Sequence, residues 1–360
     1  MTTELGRLLA RRIALTGPIS IADFMAEALG HPRLGYYRKA MPLGAAGDFT
    51  TAPEISQMFG ELLGAWSAER WMAMGRPQSV RLVELGPGRG TLLADALRAT
   101  RGVPGFHAAL DLHLVDINEP LRAVQRANLP AFDPTWHGRL DDVPDGPLLL
   151  IANEFFDALP VRQFECTPRG WVERMVGLAD DGESLRLALA PGRTPYASAL
   201  PEAAPGRQAE LSEAGLALAA AIGTRLRRDG GWALIIDYGF AGQGGLSLQA
   251  VREHRGTDIL DRPGETDLSA HVDFAALARA TGMPSFGPVG QGDFLRRLGI
   301  VERAEALKAR ANPSQRDAID AALARLIEAG QMGTLFRVLA VGDTPSNEPP
   351  GFSDSFPSTT

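Results

Sequence analysis

The stretch around residues 80–100 constrains the fold most. An apolar run, VRLVELG, closes on PGRG and opens at once into TLLADALRAT, whose apolar residues recur at helical spacing. The alternation then repeats. LDLHLVDIN reads as a second strand and EPLRAVQRANL as a second helix. PLLLIANEFFDALP is a third apolar strand running into a polar turn, and GWALIIDYG, at 231–239, is a fourth. Near-continuous apolar strands separated by helices require cover on both faces, which is the signature of a parallel α/β sheet. Right-handed crossovers and a ligand site at the C-terminal ends of the strands follow.

The glycine run identifies the ligand class. Gly86, Pro87, Gly88 and Gly90 sit at a strand-to-helix junction, where glycine lets the backbone turn tightly and approach a ligand. A phosphate-binding P-loop requires Lys followed by Ser or Thr at the end of the run, but Gly90 is followed by Thr91 and Leu92. A dinucleotide site prefers G-x-G-x-x-G with a diphosphate on the helix N-terminus. Here the spacing is G-x-G-x-G, and Glu84 precedes it by two residues, where it would repel a diphosphate. A glutamate there suits an ammonium instead. S-adenosylmethionine has an ammonium, a sulfonium and no phosphate, so it is the cofactor expected. Asp116, with Ile117 beside it, ends the next strand, where a carboxylate can accept both hydroxyls of a ribose. Asp141, before the third core strand, is a candidate for the adenine amino group.

The flanking regions divide the chain further. Residues 1–75 read as helical, with a possible lid in the Gly- and Pro-rich loop before Thr51. Thr51 and Glu54 have capping-box spacing, so a helix is predicted from near Ala52 to about Met74. The core is expected over 76–160 and 206–240, interrupted at 161–205 by an antiparallel insert. Residues 241–342 form a substrate-side and accessory region containing a helix at 274–281, a helical hairpin at 301–330 and a closing edge strand from MGTLFRVLAVG. Residues 343–360 read as a disordered tail. Lys and Arg number 36 against 43 Asp and Glu, a net charge of −7, with no basic tract, which disfavours general nucleic-acid binding. The single cysteine, Cys166, excludes an internal disulfide and a cysteine-rich metal site. No metal site is expected. Reducing conditions and the lack of a secretory leader point to the cytoplasm. No run of about 18 apolar residues suggests a membrane span.

At the level of whole motifs the chain resembles the MidA-type family of methyltransferases. The matching stretches are GDFTTAPEISQMFGE (47–61), VELGPGRGTL (83–92), VDINEPLRAVQ (115–125) and IANEFFDALPVRQF (151–164). DYGF (237–240), DLSAHVDF (267–274), GQGDFLRRLGI (290–300) and MGTLFRVL (332–339) continue the series in order. The resemblance implies a class I S-adenosylmethionine-dependent methyltransferase fold, Rossmann-like, with a seven-stranded, mostly parallel sheet and a family-specific added region. Mitochondrial members of the family are complex I assembly factors described as protein arginine methyltransferases. A protein substrate, and as partner a subunit of respiratory complex I, are therefore implied.

Acceptor chemistry is expected after the PLLLIA strand. Asn153, Glu154 and Asp157 place an amide and two carboxylates at the sheet edge, and carboxylates match the planar donors of a guanidinium. Their contribution would be positioning and charge stabilisation. Phe155, Tyr238 and His271 are candidates for the substrate side, and Asp48, Phe49, Thr50 and Thr51 for a lid over the cofactor. Two alternatives stay open: methylation of a small molecule or RNA, and a non-catalytic assembly factor that retains the cofactor site.

Overall fold

The computed structural model describes residues 3–38, 51–242, 244–342 and 348–353. Seven strands build the main sheet: β1 (Val80–Leu85), β2 (Leu110–Val115), β3 (Thr135–His137), β4 (Leu148–Asn153), β5 (Gly231–Phe240), β6 (Ser285–Gly290) and β7 (Phe336–Gly342). Their order is β3-β2-β1-β4-β5-β7-β6. The first five named are mutually parallel, and β7 runs antiparallel to both β5 and β6. A short segment, Val272–Asp273, adds to the end of β5. This is the seven-stranded, mostly parallel sheet that the family resemblance implies.

Helices cover both faces, which is why the central strands are apolar almost throughout. Leu82, Leu149, Ile151, Leu234 and Ile236 pack on the side of α3 (Gln57–Ala73) and α4 (Thr91–Ala99). Val83, Leu85, Leu150, Ala233 and Ile235 pack on the side of α5 (Glu213–Asp229) and α6 (Phe274–Thr281). The switch point of the strand order falls between β1 and β4, so a crevice opens beyond their C-terminal ends.

The N-terminal region roofs that crevice. Thr3 and Ser20 cap α1 (Glu4–Thr16) and α2 (Ile21–Gly30). Ile21, Phe24, Met25 and Leu29 of α2 join a separate core with Val161, Val176, Ala250 and Leu268. The antiparallel insert is a second sheet built from Ile19–Ser20, Gly170–Leu178, Arg162–Thr167 and Gln208–Leu211, with Leu185–Leu189 on Gly170–Leu178. A third small sheet comprises Gln249–Arg252, Arg255–Thr257 and Asp267–Ser269.

Several local expectations change. The helix expected from Ala52 to Met74 breaks at Ser56, whose extended backbone separates Ala52–Ile55 from α3 and whose hydroxyl accepts from the Met58 N–H. Thr51 makes no side-chain cap, and Glu54 instead accepts a hydrogen bond from Thr91 Oγ1 at 2.6 Å. The MGTLFRVLAVG strand is not at the edge: β7 lies between β5 and β6. In the C-terminal stretch, Phe352 is buried against Phe286 and Phe294, so an apolar anchor sits where a tail was expected. The hairpin forms from Ile300–Lys308 and Pro313–Ile327, the second helix starting from an Asn312–Gln315 capping box.

Candidate active site

A cavity of about 460 Å³ lies at the C-terminal edge of β1, β2 and β4. Met25, Ala26 and Leu29 of α2 form one wall, and Thr51, Pro53 and Glu54 another. Its floor is the glycine loop. Gly86, Gly88 and Gly90 all have positive φ (63°, 52° and 78°), a backbone region that favours glycine. At Gly86 space is equally limiting: a Cβ there would lie 2.7 Å from Phe155 Cδ2. The loop is pinned by the Gly86 N–H on the Val115 carbonyl and the Gly90 N–H on the Pro87 carbonyl.

Glu84, at the end of β1, is 3% exposed and lines the cavity. Its Oε2 has no hydrogen-bond partner among the described residues. Burial, and secondarily the Asp116 carboxylate, push its pKa up to about 8. A buried carboxyl with an unpaired oxygen is costly unless a cation or donor arrives. The ammonium of S-adenosylmethionine fits that requirement. Asp116, at the end of β2, also lines the cavity; its Oδ1 accepts from the Asn118 N–H (2.7 Å) and its Oδ2 from Gln125 Nε2 (2.9 Å). Each oxygen retains acceptor capacity. Burial raises its pKa, against those two donors.

At the end of β4 the chain turns through Glu154 with φ at 51°, in the left-handed region uncommon for a non-glycine residue. The turn is held on three sides. The Glu154 N–H donates to the Ile236 carbonyl (2.9 Å), and its Oε1 accepts from the Ala52 N–H (2.9 Å) and Asn153 Nδ2 (3.3 Å). The next three amides, of Phe155, Phe156 and Asp157, all donate to Asp237 Oδ2 at 3.1, 2.8 and 3.2 Å. Asp237 Oδ1 accepts from the Tyr238 N–H. This completely buried carboxyl therefore anchors the turn.

Glu154, Asp157 and Asp237 form a crowded acid cluster. Burial raises Glu154 to about 7, against the Ala52 and Asn153 donors. Burial and then the Glu154 carboxylate raise Asp157 to about 7. Burial and the other two carboxylates raise Asp237 as well, although backbone N–H groups oppose the shift. Glu154 and Asp157 therefore hold their protons up to near neutral pH, with Asp237 raised beside them.

The structure brings most of the predicted residues together. Glu84, Gly86, Pro87, Gly88, Asp116, Ile117, Thr51, Asn153, Glu154 and Phe155 line the cavity. Gly90 is not a wall residue but the left-handed N-cap of α4. Asp157 is buried beside the cavity and its carbonyl accepts from the Ala270 N–H. Asp141 lies elsewhere: on a short turn, exposed, it pairs with Arg139 at 3.3 Å, and Gly138 of the same segment lines the cavity instead. Tyr238 and His271 stack on each other, with Tyr238 also against Phe336, and neither is a cavity-lining residue. Asp48, Phe49 and Thr50 fall outside the described residues.

Sequence reasoning missed three contributors. Asn118 is 2% exposed and lines the cavity, and neither its Nδ2 nor its Oδ1 has a partner among the described residues. Tyr37 lines the cavity and donates to Asp267 Oδ1 at 3.0 Å. Gln125 lies behind the wall and joins the glycine loop to Asp116. Asn118 and Gln125 fall within the 115–125 motif, which was the one signal available for them.

Known proteins match this chain over most of its length. The sequence model of the Methyltransf_28 family, described as S-adenosyl-L-methionine-dependent methyltransferases, matches residues 62–289. The chain is 37% identical to the zebrafish (Danio rerio) protein arginine methyltransferase NDUFAF7, mitochondrial, over 93% of this chain and 86% of that protein. It is 38% identical to the NDUFAF7 homolog of Drosophila melanogaster, over 94% and 84%. Among solved structures, a COG1565 superfamily member from Burkholderia thailandensis bound to S-adenosyl-homocysteine superposes with a TM-score of 0.84. It is 30% identical, with 98% of this chain and 95% of that one covered. The cytoplasmic expectation is overturned, since these curated relatives are named as mitochondrial proteins. A single cysteine does not distinguish one reducing compartment from another.

Proposed function

The chain belongs to the MidA-like S-adenosyl-L-methionine-dependent methyltransferase family, and from that premise we propose that it methylates an arginine guanidinium nitrogen of a protein substrate. The carrying observation is the acid cluster of Glu154, Asp157 and Asp237 at the cavity edge, Glu154 itself being a wall residue. The relatives' designation as protein arginine methyltransferases supports the same acceptor. A subunit of respiratory complex I is the partner that the family resemblance implies.

In this reading Glu84 holds the cofactor's ammonium and Asp116 its ribose hydroxyls. Ile117 and Leu121 supply apolar surface beside Asp116. S-adenosylmethionine supplies an electrophilic methyl group on a sulfonium. A guanidinium entering beside Glu154 favours the ionised form of the acid cluster, so recognition displaces protons. Glu154 then fixes the orientation of the acceptor nitrogen, with buried Asp157 behind it, and this contributes mainly by positioning. As the nitrogen gains a methyl it loses a proton, and a carboxylate of the cluster receives it. Glu154→Gln keeps an acceptor for the Ala52 N–H and so preserves the turn. This variant is expected to bind S-adenosylhomocysteine as the wild type does while losing at least about tenfold in labelled-methyl transfer to an arginine-containing protein, a factor equivalent to about 1.4 kcal/mol. Unchanged transfer removes Glu154 from the chemistry.

A further inference from the structure

We infer that Gln125 is the positioning residue that fastens the glycine loop to Asp116, holding the two halves of the cofactor site in register. Gln125 belongs to the short helix Arg122–Asn128 and is fully buried, yet it is not a cavity-lining residue. Its amide makes three hydrogen bonds at once. Nε2 donates to the Gly88 carbonyl at 2.8 Å and to Asp116 Oδ2 at 2.9 Å, and Oε1 accepts from Trp136 Nε1 at 2.7 Å. The orientation of the amide is chemically fixed. An indole N–H can only donate, whereas a carbonyl and a carboxylate can only accept.

The surroundings reinforce this role. The Arg126 guanidinium lies 4.8 Å from the centre of the Trp136 ring, and Asn128 Nδ2 donates to the Arg89 carbonyl at 2.9 Å. The same helix therefore grips the loop at two successive carbonyls. Gly90 abuts it closely enough that a Cβ would lie 3.4 Å from Gln125 Cα. On the other side, the Asn118 N–H holds Asp116 Oδ1 while Gln125 holds Oδ2, so the carboxylate plane is set before any ligand arrives. Without the Gln125 donor, buried Asp116 protonates more readily and is free to turn.

The inference rests on the reading that Asp116 holds the ribose, and the test separates the two. The affinities of S-adenosylhomocysteine and of its 2′,3′-dideoxy analogue are measured calorimetrically at pH 6 and pH 8 for wild type, Gln125→Met and Trp136→Phe. The wild type is expected to prefer the hydroxylated ligand about tenfold or more. Gln125→Met is expected to lose that preference at both pH values, and Trp136→Phe to narrow it less. A wild type that binds both ligands equally overturns the ribose assignment, and the inference with it. A normal preference in Gln125→Met, or an equal loss for both ligands, overturns the inference alone. If Gln125→Met does not fold, Trp136→Phe decides, because its side chain is outside the cavity wall and an unchanged preference there overturns the inference.

Discussion

With Glu84 as the proposed partner of the cofactor's ammonium, cofactor binding becomes a proton-linked event. Because its pKa is near 8, Glu84 is protonated in the free protein at pH 6, whereas an ammonium ligand requires the carboxylate. Binding then releases a proton, and affinity for S-adenosylhomocysteine should rise with pH between 6 and 8, by up to about tenfold per unit. Glu84→Gln should bind more weakly at pH 8 and show a nearly flat profile over that range. Calorimetry across pH checks this, and a pH-independent wild-type affinity would contradict the role of Glu84. Residues such as Glu84 and Asp116 were legible in the sequence because strand-end acids beside a glycine turn have few other uses. Asp141 was misplaced because the local sequence does not reveal which side of a turn faces the cavity. Asn118 and Gln125 were not legible as site residues, since neither an unpaired buried amide, as in Asn118, nor a buried bridging amide, as in Gln125, can be recognised before the chain has folded around it.

At the scale of elements, the turn after β4 depends on contacts from distant parts of the chain. Asp237 satisfies three consecutive amides, so Asp237→Ala should leave buried donors unpaired and destabilise the protein by roughly 3 kcal/mol or more, measured as a shift in the urea midpoint. A wild-type midpoint would remove its anchoring role. Gly86→Ala combines a positive φ with a clash against Phe155, and should abolish measurable S-adenosylhomocysteine binding even where the variant folds. Normal affinity in that variant would show that the loop can shift to admit a methyl group. Strands β1, β2, β4 and β5 could be read from their apolar runs because both of their faces are covered. Strand β6, SFGPVG, carried no such signal: it contains two glycines and a proline and is only partly buried at the sheet edge. The interior place of β7 depends on pairing with a strand about fifty residues earlier, which local pattern does not encode. The break at Ser56 was likewise hidden inside a continuous helical rhythm.

Across the whole molecule, the site concentrates acids whose protons favour the folded state. Glu84, Glu154 and Asp157 titrate near 8, 7 and 7, against ordinary values of 4.5, 4.5 and 3.8. Between those limits the folded chain binds more protons than the unfolded one. Stability from these groups is therefore present below about pH 4 and is lost as pH rises through 7 to 8, at up to about 1.4 kcal/mol per unit for each group. The ligand-free protein should show a lower urea midpoint at pH 8.5 than at pH 5.5, and Glu84→Gln should reduce the difference. A midpoint that instead rises over that range would contradict the raised values. Saturating S-adenosylhomocysteine should recover part of the loss by supplying the missing cation. The N-terminal roof and the two added sheets lie outside what a bare methyltransferase pattern predicts. The sequence reads a helical region over 1–75 and an antiparallel insert over 161–205, but only the structure shows α2 closing one wall of the cavity.

The acceptor is the central question, and transfer of a labelled methyl group answers it most directly. Purified protein is incubated with methyl-labelled S-adenosylmethionine and an arginine-rich respiratory complex I preparation, followed by acid hydrolysis and amino-acid analysis, with Glu154→Gln in parallel. Label is expected in methylarginine for the wild type, with a strong reduction for the variant. Label in any other residue, or equal labelling by the two proteins, would contradict that expectation.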